Sequence, residues 1–86
     1  MIEVNKNAGI KEIIEFSDGL TAINKQNISK IHAMIDSVEL GLATGLLIGD
    51  VKPEEVKSMK TGYVIDTANK LVEFYLEMIK PTDDPN

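Results

Sequence analysis

The chain has neither cysteine nor arginine, and each absence closes off chemistry. Without thiols there is no disulfide framework, no thiolate zinc site and no cysteine nucleophile. Without arginine, all nine basic residues are lysines. The planar fork that grips phosphate, carboxylate or guanine at two points is therefore missing. Phosphate neutralisation supplies much of nucleic-acid affinity, so an arginine-free chain of net charge −5 is not expected to bind DNA or RNA. Its acidity suits solubility, or a basic protein partner. The most apolar stretch, Leu40 to Ile48, falls short of the about 20 residues that cross a bilayer. No basic region followed by an apolar run opens the sequence, so no secretory leader is expected. These readings point to a cytoplasmic protein.

What the chain does have is small residues at a fixed interval. Ala33, Ser37, Gly41, Gly45 and Gly49 recur every fourth position, which aligns them along one side of a helix. A glycine inside a helix costs about 1 kcal/mol relative to alanine, so the series needs a compensating cause. Close approach of a second helix supplies one, because a bare backbone lets its neighbour pack nearer than usual. The stripe is accordingly assigned as an interface. It packs either against the next helix of the same chain or against a partner.

The periodicity predicts two long helices. Asn24 or Asn27 caps the first, whose apolar positions are Ile28, Ile31, Ile35, Val38, Leu42 and Leu46, and Gly49-Asp50 ends it. Pro53, Glu54 and Glu55 mark the start of the second. Val56, Met59, Tyr63, Thr67, Leu71, Phe74 and Met78 trace one face, and Val64, Ile65, Ala68, Val72, Leu76 and Ile79 broaden it. Pro81 stops it. Ahead of these helices, Ile10 to Phe16 fits a helix or a strand, and Ser17-Asp18-Gly19 either caps that helix or turns a hairpin into Leu20 to Ile23. Strand preference of Ile, Phe and Thr tips the choice toward the hairpin.

The expected architecture is mainly α. It comprises an N-terminal appendage over 1–23 (a short β-hairpin or helix), a long antiparallel helical hairpin over 24–80, and a flexible tail over 81–86. Apolar faces this wide exceed what two helices can cover for each other. A twofold dimer forming a four-helix assembly is the natural completion.

Candidates for chemistry are few. His32, Asp36 and Glu39 share a helix face with a spacing open to a metal or an acid–base pair, but no second ligand-rich helix completes a coordination sphere. No metal and no cofactor is expected. The serines lack a nucleophile-elbow context, and the glycines do not form a phosphate loop. Met34, Met59, Met78 and the aromatics fall on core faces, with Tyr63 or Tyr75 as a rim hydrogen bonder; Tyr63 joins the stripe as an interface residue. Asp36-Ser37-Val38 resembles the Asp-Ser-Leu of acyl carrier proteins, which are small, acidic and helical. That resemblance implies Ser37 as the attachment site of a phosphopantetheine arm. The helical period of Ile28, Ile31 and Ile35 instead runs straight through Ser37 and makes it a packing residue. The functional expectation is a non-enzymatic interaction module (regulator, inhibitor or assembly adaptor) that binds itself and another protein. The alternative is a carrier or small-ligand protein. High Ile, Lys and Asn usage suggests an AT-rich bacterial or phage genome.

Overall fold

The computed structural model describes residues 1–81. It is mainly helical, with one small antiparallel ribbon. The elements in chain order are β1 (Glu3–Val4), α1 (Ile10–Asn24), α2 (Lys30–Thr44), β2 (Leu47–Ile48), a 3-10 helix (Pro53–Ser58) and α3 (Thr61–Met78). Residues 82–86, most of the expected tail, lie outside the described residues. No helix among the described residues is long and apolar enough to cross a membrane.

Of the two alternatives for the N-terminal segment, the chain takes the helix. Gly9 N–H donates to the Glu12 carboxylate at 2.8 Å, which satisfies an orphan donor at the helix start. Phe16 and Ile23 are buried on one side, with Ile13 and Leu20 half-buried beside them. Gly19 does not end this helix. A Cβ there would lie 2.5 Å from Leu40 Cδ1, so the missing side chain lets α1 lie close on α2. Packing against α2 thus overrides the strand preference of individual residues. Residues 25–29 then turn the chain, and Ser29 Oγ caps α2 by accepting from His32 N–H at 3.2 Å. The cap is Ser29 and not either asparagine.

The antiparallel helical pair is therefore α1 with α2, in place of the expected pair over 24–80. Leu40 faces Gly19 and Gly45 faces Glu12, as opposed directions require. Helix α2 and helix α3 run the same way. Ile31 and Ile35 share a small cavity with Val64 near the start of both, and Gly41 meets Leu71 farther along. The reason lies between them. Gly45 adopts φ +88, a left-handed turn that ends α2 at Thr44. Leu46, Leu47 and Ile48 then leave the helix. The chain returns through β2 and the 3-10 helix before α3 begins. The Pro53-Glu54-Glu55 signal is real, but it opens the short 3-10 helix. Met59 and Lys60 are extended, which delays α3 to Thr61.

The core gathers Phe16, Val38, Leu46, Leu47, Val56, Val64 and Leu71 around α2. Full burial of each large side chain contributes about 1.5–3 kcal/mol. Phe16 meets Tyr75 edge-on at 5.1 Å between ring centres. Tyr75 Oη donates to Ser17 Oγ at 2.9 Å, tying α1 to α3. No buried side-chain polar atom among the described residues lacks a hydrogen-bond partner.

Candidate functional site

The small-residue series does not form one continuous helical stripe. Ala33, Ser37 and Gly41 lie in α2, Gly45 is its left-handed cap, and Gly49 follows β2. Gly41 is buried: a Cβ there would come within 2.8 Å of Leu47 Cδ1 and 2.9 Å of Leu71 Cδ2. Close approach is thus the reason for this glycine, and the approaching groups belong to the same chain. Gly49 serves a different contact, because a Cβ would lie 2.7 Å from the Met1 carbonyl oxygen. Every-fourth spacing carried no sign that two of the five positions answer to separate needs.

Ser37 sits in the middle of α2, is 7% exposed, and donates to the Ala33 carbonyl at 2.8 Å. Covalent attachment needs a hydroxyl that a transferase can reach, and this one is buried and bonded. His32 Nε2 lies 3.7 Å from Asp36 Oδ1, whereas Glu39 turns toward Lys57 Nζ at 4.0 Å. Among the described residues, no three His, Cys, Asp or Glu side chains gather as a metal site needs.

Two surfaces stand out among the described residues. The first spans the seam between α1 and α3. On α3 and its C-cap, Val72, Leu76 and Ile79 are 38%, 55% and 47% exposed, and their spacing places them on one line. On α1, Ile10 and Ile14 are 77% and 53% exposed and stand in line with Ser17. Because Ser17 bonds Tyr75, the two aliphatic lines flank the same seam. Val72, Leu76 and Ile79 read in the sequence as a broadening of the core face. The signal for their exposure was the breadth itself, since one neighbouring helix cannot cover so wide an arc.

The second surface is a groove of about 1130 Å³ between β1 and the flank of α3 that bears Tyr63, Thr67 and Phe74; Glu73 and Leu76 border it too, so it adjoins the first surface along Leu76. Tyr63 is the sequence-assigned residue found here, and its hydroxyl accepts from Ile2 N–H at 2.8 Å. It fixes the ribbon to α3 and forms part of the groove wall. Compared with models of protein families, with curated proteins and with solved structures, the chain matches none.

Proposed function

We propose that the protein is a non-enzymatic interaction module that works as a twofold dimer, joined along the outer face of α3. The observation that carries this reading is the exposed line Val72, Leu76 and Ile79 on a helix whose other side is already buried. A soluble chain gains by covering such a line, and an apolar stripe at this spacing is a helix-packing surface.

The occupant that fits is a second α3. The line is nearly symmetric about Leu76, so an antiparallel mate brings Val72 opposite Ile79 of the other copy. Glu73 lies on one flank of that line, and Lys80, of opposite charge, follows the end of the helix. In an antiparallel pair this flank faces its own counterpart, so each Glu73 meets the Lys80 of its mate. Isoleucines 10 and 14 extend the covered area. Covering this face completes the core of a domain too small to enclose it alone. The bonded, buried Ser37 argues against the carrier alternative.

Sedimentation equilibrium at micromolar concentration tests the reading. The expected result is a dimer that Val72→Glu converts to a folded monomer. Lysine at position 73 should weaken association, and exchanging both charges (E73K with K80E) should restore it. A wild-type monomer at that concentration would refute the proposal.

A further inference from the structure

The groove between β1 and α3 has a character that the apolar seam lacks, because a strand edge borders it. Asn5 N–H donates to the Leu46 carbonyl at 2.8 Å, within the register Glu3↔Ile48 and Val4↔Leu47. Antiparallel alternation therefore points the backbone groups of Glu3 and Asn5 toward β2, and those of Ile2 and Val4 away from it. Tyr63 takes the outward Ile2 N–H, which places α3 and the groove on that edge. One repeat along, the outward N–H of Val4 has no hydrogen-bond partner among the described residues. With Ile2 already taken by Tyr63, the part of this edge left as a template for another strand is the position of Val4.

Charge narrows the occupant. The groove is bordered by Glu3, Asp66, Glu73 and Glu77, against Lys6 and Lys70. Lys70 Nζ lies 3.1 Å from Asp66, the amino terminus at the rim pairs with Asp50, and the dimer proposed above engages Glu73, which leaves Glu3 and Glu77 against Lys6. We propose that this groove binds an extended basic segment of a partner protein, added as a strand to β1 through Val4 with its apolar side chains over Tyr63 and Phe74. Main-chain bonds to the edge give affinity, and alternate side chains meeting the apolar wall and acidic rim give selectivity. The chain's own last residues, Thr82 to Asn86, carry Asp83 and Asp84 and so have the wrong sign for this rim.

The test uses the full chain and a capped heptapeptide that alternates lysine with valine or threonine, titrated by amide NMR and calorimetry. Binding should perturb the amides of Val4, Tyr63, Thr67 and Phe74 and leave Ile10 and Ile14 unmoved. A glutamate version of the peptide should bind at least tenfold more weakly, as should a version methylated on alternate backbone nitrogens. Val4→Pro removes the edge donor from a position that makes no bond within the ribbon, and should lower affinity tenfold while the melting curve persists. Should that variant unfold, the methylated peptide still decides. Equal binding of the acidic peptide, a helical bound peptide, or shifts confined to the α1–α3 seam would overturn the proposal. So would a tenfold gain in affinity on deleting residues 82–86, which would make the tail the occupant.

Discussion

Helix α3 has two apolar sides with opposite fates. The side bearing Leu71 is completely buried, and its contact with α2 is close because Gly41 contributes no side chain. Less than half a turn away, Val72, Leu76 and Ile79 present similar aliphatic groups to solvent. Nothing in the residue types separates the two sides. The difference is whether a neighbour with a matching absence exists within the chain. Where α2 supplies a glycine, the chain satisfies itself; where it supplies nothing, an outside surface has to do so.

Breaking the buried side should cost most. Leu71→Ala removes a fully buried side chain and should destabilise by about 2–5 kcal/mol, read by chemical denaturation. Gly41→Leu tests the same contact from the other helix. Overpacking against Leu47 and Leu71 should cost about 1–3 kcal/mol, although leucine is the better helix former. Gly45→Ala should cost about 1–2 kcal/mol for its left-handed backbone alone, because the nearest atom to a Cβ there is 3.5 Å away. Gly62 sharpens the comparison: nothing lies within 4 Å of a Cβ at that position of α3, so Gly62→Ala should stabilise by up to about 1 kcal/mol. On the open side, Val72→Glu should shift the stability of the monomer by no more than about 0.5 kcal/mol while abolishing association.

Those contrasts also mark what could be read in the sequence. Helix periods located α2 and α3, and Gly41 was recognised as a point of close contact. The run from Leu46 to Ile48 reads as helix in the sequence because continuous apolar residues suit a buried helix and a buried strand equally well. Only the backbone torsion of Gly45 decides between them. Gly19 reads locally as a turn signal, yet its purpose is the approach of Leu40 from α2, a contact with no local trace. The direction of α3 relative to α2 was hidden for a related reason: a linker containing its own strand and 3-10 helix can return the chain to either end. In the groove, Tyr63 was legible as a polar-tipped aromatic. The Val4 edge was not, since it exists only once β1 and β2 have paired.

The bond from Ile2 to Tyr63 joins residues 61 positions apart, while α1 and α2 are neighbours linked by a short loop. Local contacts form quickly, and distant ones wait on loop closure. The helical pair should thus assemble before the ribbon is laid across α3. During that interval Tyr63, Leu47 and the underside of α3 are simultaneously uncovered, and the nascent chain is at its most adhesive before its first strand is in place.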